Sequence, residues 1–191
     1  MFDNFPFIVD DEAPIDIPTE HTIDLIAKFL LNGKTVGWYQ GHGEAGPRAL
    51  GNRSILFNPL ISNGKEIVNA IKKRENYRPF GAVVLREYAH EYFDIDGEDP
   101  YMLFMGIVLD KRLKSITHID NTCRIQTLDK ENLLLRQLLE KFKDYSGVPI
   151  LLNTSLNVAG KPIAGCIEDA LELFNNSKLD ILVFGNSVKV K

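Results

Sequence analysis

The chain is poor in the residues and runs that mark several functional classes. Among its 191 residues there are two cysteines, Cys123 and Cys166, far apart in sequence. They offer neither a metal-type spacing nor a disulfide framework, and both are expected as reduced, buried thiols. No apolar run approaches membrane-spanning length. The apolar start Phe5-Pro6-Phe7-Ile8-Val9 is shorter than a signal-peptide core and is surrounded by acids, so a cytoplasmic location is the expectation. Positive charge is not in excess either: 22 Lys and Arg stand against 26 Asp and Glu, a net of −4. That balance argues against a nucleic-acid polymer as partner, because polymer binding wants a broad basic face. Also absent are a Gly-x-Ser-x-Gly elbow, a nucleophile–base pair, a Walker A loop, a dinucleotide fingerprint and any metal-ligand spacing of histidines. Any catalysis must then work by positioning and charge neutralisation, without a covalent protein intermediate.

What is present is a local concentration of cations. Between His42 and Arg86 eight Lys and Arg face three Asp and Glu, an excess of five positive charges in a chain that is acidic as a whole. Glycines at 41, 43, 46 and 51 let backbone amides approach an anion, and Pro47 stiffens the turn that aims Arg48, with Arg53 following. By spacing alone this segment is either a phosphate loop or a structural turn. Glu44 beside it is read as orienting an arginine. Lys72, Lys73, Arg74 and Arg78 lie within seven positions near only one carboxylate, Glu75. Packed cations repel unless an anion sits among them, which favours a ligand site over a helix-dipole effect. Arg78 precedes Pro79 and is held extended. Asn153-Thr154-Ser155-Leu156-Asn157 follows an apolar strand, where open α/β sheets place ligands; an Asx or Ser/Thr turn explains the same residues. His118, Asp120 and Arg124 form another polar stretch, in which His118 reads as a structural hydrogen-bonder.

The coarse element pattern is α/β. Residues 1–18 carry five acids, three prolines and no cation and read as a lead-in arm, with the domain over 19–191. Thr19 is placed to cap a helix with Ile23, Ile26, Ala27, Leu30 and Leu31 inward, stopped by Asn32-Gly33. Strands are expected near 35–39, 54–57, 82–85, 103–109, 124–128, 148–152 and 181–184, with 187–191 pairing beside the last. Helices are expected over about 62–72, 130–144 and 168–176. Interleaved strands and amphipathic helices give a single domain with a mixed sheet.

Taken together, Glu44-Ala45-Gly46-Pro47-Arg48-Ala49-Leu50-Gly51-Asn52-Arg53-Ser54, Lys72-Lys73-Arg74-Glu75, Arg78-Pro79-Phe80, Thr117-His118-Ile119-Asp120, Arg124-Ile125-Gln126-Thr127 and Leu152-Asn153-Thr154-Ser155-Leu156-Asn157 resemble the C-terminal domain of the NodU/CmcH-type O-carbamoyltransferases over about residues 20–191. The resemblance implies a YrdC-like fold, an open twisted mixed sheet with flanking helices and a cationic concave face. It also implies an adenylating half-enzyme that takes ATP, with ligand-borne Mg²⁺, and carbamoyl phosphate to carbamoyl-adenylate. Lys72, Arg74, Ser155 and Asn157 match the Lys-x-Arg and Ser-x-Asn pairs of that fold and would be catalytic. Arg48, Arg53, Arg78, Arg124 and Asn153 would bind the nucleotide. The acceptor hydroxyl would be met in an actin/kinase-like N-terminal partner domain, for which this chain has no room. Departures at Gly43-Glu44-Ala45, Gly81-Ala82, Cys123 and Ala159-Gly160-Lys161 sit beside the anchors and bear on ligand detail. Two other functions are compatible with the same motifs: threonylcarbamoyl-adenylate synthesis, and a non-catalytic nucleotide-binding interaction module.

Overall fold

Residues 16–191 are described by a computed structural model of the chain; most of the arm expected over 1–18 lies outside the described residues. Thr19 caps α1 (Glu20–Leu31), its hydroxyl accepting from the Thr22 amide at 3.3 Å. Ile23, Ile26, Ala27 and Leu30 are buried as expected. Leu31 is exposed instead, because it lies about 100° around the helix from Leu30. Strand β1 (Val36–Tyr39) leads into the glycine-rich loop, and β2 (Arg53–Phe57) returns antiparallel to it. Helix α2 (Gly64–Lys72) ends where Lys73 takes a left-handed φ of 51°, and β3 (Gly81–Leu85) follows.

A short helix α3 (Ala89–Tyr92) and the two-residue strand β4 (Phe93–Asp94) were not legible in the sequence, being too short to carry a period. Strand β5 (Met105–Val108) is shorter than the run expected over 103–109. The Asp99 carboxylate captures the Phe104 amide at 2.6 Å and Met102 adopts a positive φ, so the chain turns there before it can pair. The rest follows the expected order: β6 (Thr122–Leu128), α4 (Leu133–Ser146), β7 (Ile150–Ser155), α5 (Ile167–Asn176), β8 (Ile181–Phe184) and β9 (Ser187–Val190).

The nine strands form one sheet in the order β4-β5-β6-β3-β7-β2-β1-β8-β9. Only β1–β8 and β3–β6 pair in parallel, so the sheet is mixed. Alternation along the strands builds two cores. Ile55, Phe57, Ala82, Val84, Ile150 and Leu152 face α2 and α5, while Leu56, Val83, Leu85 and Leu151 face α1 and α4. Asp180 locks the starts of β1 and β8 together, accepting from the Thr35 amide at 2.9 Å and its hydroxyl at 2.8 Å. Cys123 is buried, and burial pushes its thiol well up. Cys166 departs from expectation: it is only half-buried, at the cap of α5, because its side chain faces the first-turn amides. No helix among the described residues is long and apolar enough to cross a membrane.

Candidate functional site

Backbone pairing draws the polar motifs to one end of the central strands. Asn153 of β7 lies opposite Gly81 of β3, Gly81 opposite Arg124 of β6, and Arg124 opposite Met105 of β5. This row floors a hollow of about 360 Å³ on the α1/α4 side. Arg48, Arg74, Phe80, His118 and Ser155 contribute to its walls. Among the described residues three guanidinium groups and one imidazole line the hollow, and no carboxylate does. Groups of one sign brought together without a counter-charge are a ready-made anion site.

Each cation is held by a specific local device. Arg48 rides on the loop after β1, which Glu44 gathers by accepting from the amides of Leu50 (2.6 Å), Asn52 (3.0 Å) and Arg53 (3.0 Å). Glu44 therefore shapes the loop through backbone N–H groups, in place of the arginine-orienting role expected for it. Burial pushes its carboxyl up against the pull of those three amides. Burial first, and then the charge of Arg124, pull the Arg48 guanidinium below its ordinary value. Arg74 is steered by Nε donating to Asn69 Oδ1 at 2.6 Å and by stacking 4.5 Å above the Phe80 ring. Arg124 donates to the Met102 carbonyl at 3.0 Å. His118 Nε2 meets the Phe80 carbonyl at 3.0 Å.

Gly51 closes the Arg48 loop at a φ of 108°, and a Cβ there would collide with Leu135 Cδ2. Gly51→Ala is expected to destabilise the fold by about 2 kcal/mol or more and to weaken phosphate binding as Arg48 shifts. Urea unfolding and a phosphate titration of the same variant measure the two effects; an unchanged denaturation midpoint contradicts the expectation.

Lys72 does not line the hollow but lies immediately behind it. Its Nζ is buried at the end of α2 and donates among four oxygens: Ser155 O (2.6 Å), Ser155 Oγ (3.2 Å), Asn157 O (3.1 Å) and Asn157 Oδ1 (2.8 Å). Ser155 Oγ also donates to Asn157 Oδ1 at 2.7 Å. The lysine and both residues of the Ser-x-Asn pair are thus one hydrogen-bonded unit. Burial, followed by the charges of Arg74 and Arg78, lowers the Lys72 ammonium to about 7.

Other expected ligands fall elsewhere. Arg53 is fully buried and stacks 3.6 Å over the Tyr39 ring, its Nη1 donating to the Gln40 carbonyl at 2.6 Å. Strand alternation turns it toward the α2/α5 face, opposite to the hollow, so Arg53 is not among the lining cations. Arg78 is exposed outside the hollow, 3.9 Å from Glu75. Asn157 borders a second cavity, of about 460 Å³, lined also by Asp169, Glu172 and Lys161. That cavity is larger, but its carboxylates offset its cations and Lys161 is already paired with Glu172 at 2.6 Å. The smaller hollow is therefore the candidate anion site.

Two contributors were missed in the sequence. His118, whose spacing suggests a structural hydrogen-bonder, lines the hollow while holding its structural bonds. Gln126 anchors the floor, its Nε2 donating to the Leu50 carbonyl at 2.9 Å and its Oε1 accepting from Asn153 Nδ2 at 3.1 Å. A signal existed: Gln126 is polar two positions after Arg124, on the same strand face.

The family model described as Carbamoyltransferase C-terminus matches residues 27–191. Among curated proteins, nodulation protein NolNO of Sinorhizobium fredii is 43% identical over 168 residues, covering 84% of this chain and 25% of that protein. The 3'-hydroxymethylcephem-O-carbamoyltransferase of Amycolatopsis lactamdurans is 37% identical over 172 residues, covering 89% of this chain and 33% of that protein. The chain thus spans a quarter to a third of the length of these relatives. Among solved structures, P. abyssi Sua5 in complex with L-threonine superposes with a TM-score of 0.68 at 16% identity, over 91% of this chain and 50% of that one. Full-length HypF in its phosphate- and nucleotide-bound form gives 0.64 at 22% identity, over 86% of this chain and 25% of that one. At these identities the likeness to Sua5 and HypF is one of fold, and the YrdC-like architecture expected from the motifs is the one this chain has.

Proposed function

Because the chain belongs to the family of carbamoyltransferase C-terminal domains, we propose that it is the adenylating part of an O-carbamoyltransferase, binding ATP and carbamoyl phosphate in the hollow. The observation that supports this reading is the lining itself: Arg48, Arg74, Arg124 and His118 converge with no carboxylate of the described residues among them. A polyphosphate supplies the missing negative charge, and each charge-assisted hydrogen bond to it contributes roughly 1.5–3 kcal/mol.

The chemistry balances in two steps. Water cleaves carbamoyl phosphate to carbamate and phosphate. A carbamate oxygen then attacks the α-phosphorus of ATP, forming the carbamoyl–phosphate anhydride bond of carbamoyl-adenylate as the bond to pyrophosphate breaks. In-line placement matters more here than acid–base help. Among the described residues no three His, Cys, Asp or Glu side chains gather as a metal site; Mg²⁺ would ride on the phosphates and offset their charge. Ser155 lines the hollow and, by turning its hydroxyl away from Asn157 Oδ1, would orient an oxygen of the carbamoyl or α-phosphate group, while Lys72 and Asn157 hold it from behind. Transfer to a hydroxyl would fall to the additional length of a full carbamoyltransferase, consistent with relatives three to four times longer than the matched segment.

The test is pyrophosphate exchange into ATP with folded chain and Mg²⁺. Exchange is expected only when carbamoyl phosphate is supplied, and not when threonine with bicarbonate replaces it. Exchange under neither condition removes the adenylating activity from the isolated chain. Exchange with threonine and bicarbonate would assign threonylcarbamoyl-adenylate synthesis instead.

A further inference from the structure

We propose that the open face of β5, built by Met105 and Ile107, is the shelf on which the adenine base lies while the phosphates of ATP occupy the hollow. This rests on the reading of the hollow as a nucleotide site.

Apolar side chains left singly in solvent need no explanation, but a contiguous stripe of them does. Seven of the thirteen large apolar side chains exposed among the described residues fall between Tyr101 and Ile119. Strand alternation orders part of this group. Gly106 turns to the buried side, against Ile95, while Met105 and Ile107 turn to the other and are 43% and 50% exposed. Register fixes which side that is, since Met105 lies opposite Arg124 and Ile107 opposite Thr122. It is the side on which α1 and α4 form a core with β1, β2, β3 and β7. That core includes no residue of β5. The stripe thus stays open beside strands that are covered.

Met105 also lines the hollow, next to Arg124. The cationic floor and the apolar stripe therefore meet at one residue, and Ile107 follows roughly 7 Å along the strand. A surface that passes from guanidinium groups to apolar side chains over that distance fits a ligand of the same two characters. Carbamoyl phosphate is polar throughout. ATP is not: its ribose sets a flat, largely apolar base one sugar's width from the α-phosphate. With the phosphates on Arg48, Arg74 and Arg124, the base lies over Met105 and Ile107 and removes both from water. The Met105 thioether adds to this contact, because its polarisable sulfur is attracted to aromatic rings.

Adenosine 5'-phosphate and ribose 5-phosphate share phosphate and sugar and differ by the base, so their affinity ratio isolates the shelf. Tripolyphosphate reports the hollow alone. Titration of the full chain is expected to show adenosine 5'-phosphate binding about 10-fold or more tighter than ribose 5-phosphate. Ile107→Ser is expected to bring that ratio below about 3-fold. Equal affinities in the unaltered chain, with tripolyphosphate bound, overturn the shelf and leave the anion site standing. Failure of tripolyphosphate to bind overturns the site and the shelf together. A folded Ile107→Ser chain that keeps the full ratio puts the base elsewhere. Sedimentation tests the competing occupant: a dimer that Ile107→Ser disperses, with a ratio near one, gives the stripe to a second copy of the chain. If Ile107→Ser does not fold, Met105→Gln, of nearly the same shape, takes its place. It is expected to lower the ratio about 3-fold or more, and an unmoved ratio overturns the shelf.

Discussion

Replacing Lys72 with methionine is expected to cost about 2–4 kcal/mol of stability and to abolish carbamoyl phosphate-dependent exchange. Methionine fills most of the lysine's path but donates to none of the four oxygens around Nζ. The carbonyls of Ser155 and Asn157 are then left without this donor at a site that is 3% exposed, and each such loss costs about 1–3 kcal/mol. At this chain length the melting temperature falls by about 2–4 °C per kcal/mol. A pH series separates the lysine's charge from its packing. The folded-state value of about 7 lies below the ordinary 10.5, so between those limits the unfolded chain holds a proton that the folded chain has shed. Stability then rises with pH across that window, and the rise should vanish in Lys72→Met. A melting temperature within about 1 °C of the unaltered chain at pH 7 sinks this account of Lys72.

Arg74→Ala is expected to weaken Mg·ATP binding by about 10- to 150-fold, the equivalent of one charge-assisted contact, while leaving the fold nearly intact. Arg74 is only half-buried, and Asn69 keeps its own bonds to the carbonyls of Asn76 and Arg78 after the change. Arg74→Lys should not restore affinity, because a lysine cannot hold Asn69 Oδ1 through Nε and present a second donor to a phosphate. Calorimetric titration measures the affinity and a thermal melt checks the fold. Unchanged affinity in the alanine variant removes Arg74 from the site.

Much of this site was legible in the sequence because its cations are clustered without carboxylates. That signal selects Lys72, Arg74 and Arg48, and the apolar run before Asn153 puts Ser155 at a strand end. Arg53 was misplaced for a physical reason. Ile55, Leu56 and Phe57 are all apolar, since β2 is buried on both faces, so alternation gave no sign of which way Arg53 points. His118 and Gln126 needed more than local pattern. Their place beside Asn153 depends on β6 lying parallel to β3, with β7 antiparallel on the other side of β3. No spacing within the chain encodes that arrangement.

The parallel pairing of β1 with β8, clamped by Thr35 and Asp180, also has a kinetic consequence. The two partners are separated by 145 residues, and contacts between such distant segments form late because the loop entropy is lost before they return any energy. On a ribosome, β1 could pair with β2 early but would wait for β8 until nearly the whole described chain had emerged. Early nascent lengths should therefore be sensitive to protease, with resistance arriving abruptly once β8 clears the exit tunnel.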